Sequence, residues 1–142
     1  MYSCGPTVYS TPHIGNFRAT FTADLIRNTL KYFGYPVKAV MNITDVGHLV
    51  SDADDGEDKL EKGSRIDGIS AWDVAKKYED IFLKAMKELR IDRFDVMPRA
   101  TEHIQEQIRM VKRLEEKGYT YTIPDDGIYM DTSLVEDYGK LM

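Results

Sequence analysis

Apolar residues recur at steps of three to five between residues 17 and 33, which is the spacing of one face of an α-helix. We expect this helix to begin near Phe17 and to end before Gly34, because a glycine followed closely by Pro36 is a common helix stop. The residues predicted to line one face of this helix are Phe17, Phe21, Leu25, Ile26, Leu30 and Phe33.

Two further helices are predicted in the second half of the chain. Ser70 is the expected N-cap of a helix over residues 70–89, with Asp73 in the capping-box position and with Ile69 and Val74 spaced for a hydrophobic staple. Its buried side is predicted to contain Trp72, Ala75, Phe82 and Leu89. The last helix is predicted over residues 99–117, with a stop at Gly118 and an apolar repeat of Thr101, Ile104, Ile108, Val111 and Leu114.

Short apolar runs predict the strands. Residues 1–3 and 37–43 flank the first helix, so residues 1–45 are expected to form a right-handed βαβ unit with parallel strands. Alternating residues around Pro124-Asp125-Asp126-Gly127 predict a hairpin over residues 119–131. This order indicates an α/β class, a partial nucleotide-binding fold with parallel strands and flanking helices. Because the resulting sheet is thin, we expect partner strands from a longer enzyme.

Residues 46–68 form a separate region of the predicted organisation, before the helices and hairpin of residues 69–142. The acidic, glycine-containing run at residues 51–58 predicts an exposed loop. Asp52, Asp54 and Gly56 alternate as in a calcium-binding loop. A solvated loop is nevertheless favoured over a metal site, because Gly63 stands where that loop needs a bidentate Glu.

Composition narrows the class of protein. Of the 142 residues, 42% are hydrophobic and 30% charged, which is ordinary for one globular domain. We see neither a bilayer-spanning apolar run nor a secretion signal, and the single cysteine excludes an internal disulfide, so a cytoplasmic location is expected. The net charge of −5 argues against general DNA binding and against a polybasic membrane patch, but it leaves RNA binding by a local surface open.

A candidate phosphate site lies where the first strand gives way to the first helix. Pro12, His13, Ile14, Gly15 and Asn16 lead into the helix, whose opening N–H groups and dipole favour an anion. Gly15 permits close approach of a ligand to the backbone, and His13 can donate to a phosphate oxygen. The alternative for His13 is a structural residue at the helix entry.

The two strand ends predict that separate motifs share one pocket. Cys4 and Gly5 follow the first strand, and Thr44 and Asp45 end the second. Ligands of open α/β sheets bind at the carboxyl ends of parallel strands, so these residues are expected side by side.

The motifs also resemble a known family. Cys-Gly-Pro-Thr-Val-Tyr at residues 4–9, followed by Pro-His-Ile-Gly-Asn at residues 12–16, resembles the opening of a cysteinyl-tRNA synthetase, and the second motif is similar to the His-Ile-Gly-His element of class I aminoacyl-tRNA synthetases. The resemblance continues through residues 42–45 and 98–103. It implies a Rossmann-like nucleotidyltransferase fold, with residues 1–142 as the amino-terminal portion of the catalytic domain.

The resemblance implies the function of a cysteine–tRNA ligase. Such an enzyme activates L-cysteine with ATP and magnesium to cysteinyl-adenylate, and then transfers it to tRNA(Cys). His13 and Asn16 would be the catalytic residues facing ATP, in a reaction that depends on positioning and charge stabilisation. Asn16 departs from the family's second His, because its amide can donate but cannot become cationic. The expected contacts to cysteine or its adenylate are Gly5, Thr7, Tyr9, Gly15, Thr44 and Asp45.

The resemblance also implies that Cys4 is a zinc ligand, in a site whose open fourth position holds the thiolate of the substrate cysteine. The other family ligands come from later segments that have no match here, so a complete zinc site is not expected in this chain. The alternative for Cys4 is a small buried hydrophobic residue. For Asp45 the alternative is a helix or turn cap. Structural roles are predicted for Asp24, Arg99 and His103.

Two other functions stay open at this point. One is a related ligase that joins cysteine to an amino-sugar, as in mycothiol synthesis, and that shares Cys4 and His13. The other is a non-catalytic fragment that binds a nucleotide or a protein partner. The chain has no lysine-rich loop of the Lys-Met-Ser-Lys-Ser type and no anticodon-binding domain, so we expect it to be inactive alone in pyrophosphate exchange.

Overall fold

The computed structural model describes residues 1–46, 68 and 70–140. Almost all of the predicted acidic loop, including its calcium-like positions, lies outside the described residues, as does Ile69 of the predicted staple. The chain divides into two compact units, Met1–Glu102 and His103–Met142. None of the described helices is both long and apolar enough to cross a bilayer.

The first unit contains the predicted βαβ arrangement. Strands β1 (Tyr2–Ser3) and β2 (Val40–Met41) are parallel, and helix α1 (Ile14–Tyr32) connects them. The ladder is shorter than the predicted strands because it is interrupted after Ser3, and pairing resumes only at an isolated parallel bridge between Thr7 and Thr44.

A third parallel segment, residues 96–99, lies beside β2 and was not predicted. The N–H of Met41 donates to the carbonyl of Val96 at 3.0 Å, and the N–H of Ile43 donates to the carbonyl of Pro98 at 2.8 Å. Bridges join Val40 to Val96 and Ile43 to Arg99. The sequence of this segment lacks a strand pattern, because Pro98 has no N–H to donate and because Asp95 and Arg99 are charged. Its carbonyl groups can nevertheless accept hydrogen bonds from β2 and from Ile43.

Helix α1 begins earlier than predicted and ends where expected. Its first residue is Ile14, three positions before Phe17, because His13 and Asn16 cap it. Gly34 has a φ of 82°, a conformation that favours glycine, and the N–H of Tyr35 donates to the carbonyl of Leu30 at 3.0 Å. These are the features of a Schellman stop, which confirms the predicted end.

The predicted apolar face of α1 is largely exposed. Phe21 is 54% exposed and Leu25 is 57% exposed, and Ile26 and Phe33 are also exposed. The buried residues of the helix are Thr20, Ala23, Asp24 and Arg27. Only Phe17 and Leu30 of the predicted face are partly buried, and the ring of Phe17 stacks on that of Phe82 with 5.4 Å between centroids.

The buried side of α1 contains an ion pair. Arg27 pairs with Asp24, donates to the carbonyls of Asp92 at 3.1 Å and Arg93 at 3.0 Å, and lies 4.9 Å from the centre of the Phe94 ring. Asp24 also accepts from the Asn28 amide at 3.0 Å, which confirms its predicted structural role. Buried charges of this kind require such partners.

Helix α2 (Ala71–Glu88) has the predicted cap. The Ser70 hydroxyl oxygen accepts from the N–H of Asp73 at 3.2 Å, and its O–H donates to the Asp73 carboxylate at 2.6 Å. Ala75 and Phe82 are buried as predicted, together with Val74 and Met86.

Two core assignments on α2 are wrong. Trp72 is 67% exposed and Leu89 is 50% exposed. The buried stripe runs through Val74, Phe82 and Met86, so that Trp72 lies at its margin in the first turn and Leu89 follows the last turn as the C-cap.

The second unit contains helix α3 (Ile104–Glu116) and the antiparallel strands β3 (Thr120–Ile123) and β4 (Gly127–Met130). The hairpin is confirmed, and its turn contains Asp125 at a φ of 62°. Helix α3 starts later than the predicted residue 99, because Ala100–His103 forms a 3₁₀ turn. Gly118, at a φ of 74°, is the predicted stop. A short 3₁₀ helix, Thr132–Leu134, follows the hairpin.

Candidate functional site

A cavity of about 270 Å³ lies beyond the end of β1. Six of the predicted site or motif residues line it: Gly5, Thr7, Tyr9, Pro12, His13 and Asn16. Tyr78 and Phe82 of α2 form another part of its wall. The segment after the first strand and the opening of the first helix therefore line one cavity.

The other predicted site residues do not line this cavity. Ile14 and Gly15 are exposed at the start of α1. Thr44 is half-buried and pairs with Thr7, which brings it next to the lining segment without making it part of the wall. Cys4 is an exposed free thiol, so the alternative of a buried hydrophobic residue is wrong.

His13 and Asn16 form a reciprocal capping box at the cavity. The Nδ1 atom of His13 accepts from the N–H of Gly15 at 3.0 Å, and the Oδ1 atom of Asn16 accepts from the N–H of His13 at 2.9 Å. The first turn therefore uses one of the N–H groups that the sequence pattern had left for an anion. A neutral imidazole that accepts at Nδ1 carries its proton on Nε2, which makes Nε2–H the donor.

The backbone of Gly5 runs against that of Asn42. A Cβ atom added to Gly5 would lie 1.7 Å from the carbonyl oxygen of Asn42, so no other residue fits here without a shift of the backbone. The N–H of Gly5 donates to Oδ1 of Asn42 at 2.9 Å, and the Asn42 amide donates to the Thr44 hydroxyl at 3.1 Å. The sequence pattern gave Asn42 no role. A polar residue inside an apolar strand was the available signal.

Asp45 makes the contacts of a cap. It is buried, and its two carboxylate oxygens accept from the N–H of Thr101 at 3.0 Å and from the Thr101 hydroxyl at 2.5 Å. These bonds hold the 3₁₀ turn Ala100–His103, and they support the capping alternative for Asp45 over direct contact with a substrate.

Arg99 joins the third parallel segment to α2. Its guanidinium donates to both carboxylate oxygens of Glu79, at 2.8 Å and 2.6 Å, and to Glu102 at 3.0 Å. The hydrogen bonds to Glu79 raise the pKa of Arg99 above its ordinary value. Glu79 follows Tyr78 in sequence, so this ion pair fixes the helix that supplies one cavity wall, as the structural prediction for Arg99 requires.

The described residues 1–46, 68 and 70–140 contain no group of three or more His, Cys, Asp or Glu side chains able to hold a metal ion. The exposed sulfur of Cys4 is the kind of donor that zinc prefers, but one donor does not make a site. In this part of the chain, Cys4 therefore fits the role of one ligand and no more.

Comparison with known proteins decides the family. The sequence profile described as "tRNA synthetases class I (C) catalytic domain" matches residues 1–142. The chain belongs to this class I tRNA synthetase family. The resemblance found from the motifs is thereby confirmed.

Curated relatives of this class I synthetase chain agree with the profile. It is 52% identical to cysteine–tRNA ligase 1 of Burkholderia lata over 141 residues, which are 99% of this chain and 30% of the relative. It is 45% identical to the cysteine–tRNA ligase of Zymomonas mobilis and 47% identical to that of Deinococcus radiodurans, again over 99% of the chain. These matches cover 27% and 28% of those two relatives, so the chain spans less than a third of their length.

A solved structure confirms the fold of the class I synthetase chain. A crystal structure of methionyl-tRNA synthetase from Mycobacterium tuberculosis, bound by methionyl-adenylate, matches it with a TM-score of 0.69. The match covers 84% of this chain and 22% of the other, at 20% identity. The Rossmann-like α/β prediction, with a partial domain, is therefore confirmed.

Proposed function

We propose that this chain is part of a cysteine–tRNA ligase, which activates L-cysteine with ATP and then transfers it to tRNA(Cys). The observation that carries the proposal is the identity of 45–52% to three proteins of that name over 99% of the chain. Because the chain covers less than a third of each of them, the complete activity belongs to a longer protein. The names of these relatives favour tRNA over an amino-sugar as the acceptor.

In the first step, a carboxylate oxygen of cysteine attacks the α-phosphorus of ATP and pyrophosphate leaves. We assign the Nε2–H of His13 to a phosphate oxygen, because the capping bond at Nδ1 fixes the tautomer in which Nε2 is the donor. Asn16 uses Oδ1 for the cap, so its amide NH₂ is the group that can donate toward ATP. Magnesium accompanies ATP and neutralises charge on its phosphates.

The residues after β1 are proposed to bind cysteine and its adenylate. Gly5, Thr7 and Tyr9 line the cavity, and Thr44 holds the backbone of this segment through its bridge to Thr7. Gly15 opens the helix without side-chain bulk where the nucleotide would approach. Asp45 is not among the residues proposed to contact the substrate directly, because both of its carboxylate oxygens accept hydrogen bonds from Thr101.

We propose Cys4 as one ligand of a zinc ion whose other ligands lie outside the described residues. When bound, zinc would hold the substrate thiolate and so distinguish cysteine from serine. What this chain contributes is an exposed sulfur at the end of β1, next to Gly5 of the cavity wall. The proposed location of the enzyme is the cytoplasm, where its tRNA substrate is charged.

A chimaera tests the proposal directly. This chain would replace the matching 141 residues of the Burkholderia lata cysteine–tRNA ligase 1, to which it is 52% identical. We expect cysteine-dependent ATP–pyrophosphate exchange, and a loss of about a hundredfold in its rate with His13→Ala, because one donor to developing charge is removed. His103→Ala is the matched control, since His103 is an exposed histidine of a structural turn.

A chimaera that unfolds cooperatively but shows no cysteine-dependent exchange would contradict the proposal. The 142-residue chain alone is expected to show no exchange, because the phosphate-neutralising lysine loop is not in it. Pyrophosphate exchange by the isolated chain would show that the lysine loop is not needed for this step.

A further inference from the structure

We propose that Asn42 is a positioning residue of the active site. Its side-chain amide holds the interruption of the parallel ladder from which Cys4 and Gly5 extend, and it orients the hydroxyl of Thr44. The inference rests on the proposed function for the roles of Cys4 and Thr44, but the bond that carries it can be tested without activity.

The pairing register shows that the ladder is interrupted. Tyr2 pairs with Val40 and Ser3 with Met41, whereas the next bridge joins Thr7 to Thr44. Between Ser3 and Thr7 the first segment therefore has one more residue than the second has between Met41 and Thr44. An extra residue in one strand is a bulge, and bulges beside active sites re-aim side chains.

The extra residue leaves the N–H of Gly5 without its regular partner. In the register of β1, the N–H of Val40 donates to the carbonyl of Met1, and continuing that pattern would pair the N–H of Gly5 with the carbonyl of Asn42. This N–H donates instead to the side-chain Oδ1 of Asn42, at 2.9 Å. The amide thus replaces a missing backbone acceptor, and a partly buried N–H stays satisfied.

The same amide connects the two strand ends. Its Oδ1 also accepts from the Tyr2 hydroxyl at 2.9 Å, and its Nδ2 donates to the Thr44 hydroxyl at 3.1 Å. Gly5 already lies against the Asn42 backbone, because a Cβ added to it would lie 1.7 Å from that carbonyl oxygen. One half-buried side chain therefore fixes the peptide after Cys4 and the hydroxyl of Thr44 together.

Amide hydrogen exchange in the 142-residue chain tests the bond. We expect Asn42→Ala to accelerate exchange at the Gly5 N–H by about tenfold or more, because its acceptor is removed. Asn42→Asp retains an acceptor in the same place, and Tyr2→Phe removes only the second donor to that oxygen, so both are expected to stay within about twofold of the parent chain.

Unchanged Gly5 protection in Asn42→Ala would overturn the proposal. If Asn42→Ala does not fold, Asn42→Asp still tests the inference, because a carboxylate at this position must protect the Gly5 N–H from exchange. A loss of that protection of about tenfold in Asn42→Asp would overturn the inference.

The chimaera tests the consequence for the site. In cysteine-dependent pyrophosphate exchange, Asn42→Ala is expected to raise KM for cysteine about tenfold with a smaller change in kcat. Asn42→Asp should raise KM by less, because its carboxylate keeps the acceptor for Gly5 but cannot donate to the Thr44 hydroxyl. A loss confined to thermal stability, with KM unchanged, would assign Asn42 to folding alone and overturn the inference. The zinc role of Cys4 fails separately, if Cys4→Ser keeps the parent preference for cysteine over serine.

Discussion

Helices α1 and α2 belong to one compact unit but differ in the largest side chains that they bury. Helix α2 buries Val74, Phe82 and Met86, as an amphipathic pattern predicts. Helix α1 buries Asp24 and Arg27, while its apolar stripe is exposed. A hydrophobic period therefore shows which residues share a face, whereas the partners available in the unit decide whether that face is covered.

The physical difference lies in what each helix packs against. Phe82 reaches a cluster with Met41, Ile91 and Phe94, where burial of apolar area is favourable without any specific partner. The side chain of Arg27 is 1% exposed, and this burial depends on the polar partners of its guanidinium, which are the carboxylate of Asp24, the more distant carboxylate of Asp92 and two carbonyls.

The largest effect is expected in the core of α2. Phe82→Ala should lower the free energy of unfolding by about 3–5 kcal/mol, because it leaves a cavity and removes the ring stacked on Phe17. Trp72→Ala, on the same helix but exposed, should cost less than about 1 kcal/mol. Urea unfolding of the 142-residue chain measures both, and similar costs for the two aromatic residues would contradict the assigned core.

The ion pair of α1 comes next. Asp24→Ala should cost about 3 kcal/mol in urea unfolding, because it removes the nearer carboxylate partner of the buried Arg27 guanidinium and leaves only that of Asp92, at 3.8 Å. Leu25→Ala is the neighbouring control on the exposed stripe and should change stability by about 0.5 kcal/mol or less. If Leu25 cost as much as Asp24, the exposed side of α1 would in fact be buried.

The starts of the two helices offer a smaller contrast. Ser70→Ala should cost about 1 kcal/mol, because the N–H of Asp73 loses its acceptor, and Ser70→Asp should retain most of that stability. His13→Ala removes the equivalent bond to Gly15 and should cost a similar amount in the isolated chain. Thermal unfolding checks both, and a stability unchanged by Ser70→Ala would show that this cap is not needed.

The smallest effect concerns acid stability. The N–H of Ala39 donates to the Asp95 carboxylate at 2.6 Å, and this bond lowers the pKa of Asp95 below its ordinary value of 3.8. A lowered folded pKa stabilises the protein at pH values above 3.8, and that contribution is lost as the pH falls through the folded value. The stability gap between the parent chain and Asp95→Asn should therefore narrow as the pH falls below 3.8. A gap in urea midpoint that stays constant with pH would contradict this.

The candidate site was predictable where its residues are close together in the sequence. Four residues that line the cavity are close together in the sequence, in a strand–turn–helix pattern that predicts a shared site: Thr7, Tyr9, His13 and Asn16. Asn42 was missed because its role depends on a one-residue offset between two strands, which spacing within either strand cannot reveal. The third parallel segment was missed for a related reason, since Pro98 and its charged neighbours interrupt the strand pattern, whereas the remaining N–H groups and all the carbonyls can still pair with residues 39–43.

By itself the sequence determined the order of elements, the helix stops at Gly34 and Gly118, the Ser70 cap, the hairpin and the family. The stops, the cap and the hairpin depend on neighbours within a few positions, and the family is evident from whole motifs. Only the tertiary structure decided that α1 buries Asp24 and Arg27, that Trp72 remains in solvent and that Asp45 holds Thr101. The burial of Arg27 and the bonds of Asp45 depend on partners from distant positions, and burial of a polar group is favourable only once such partners are in place. The exposure of Trp72 depends on which side of α2 the rest of the unit covers.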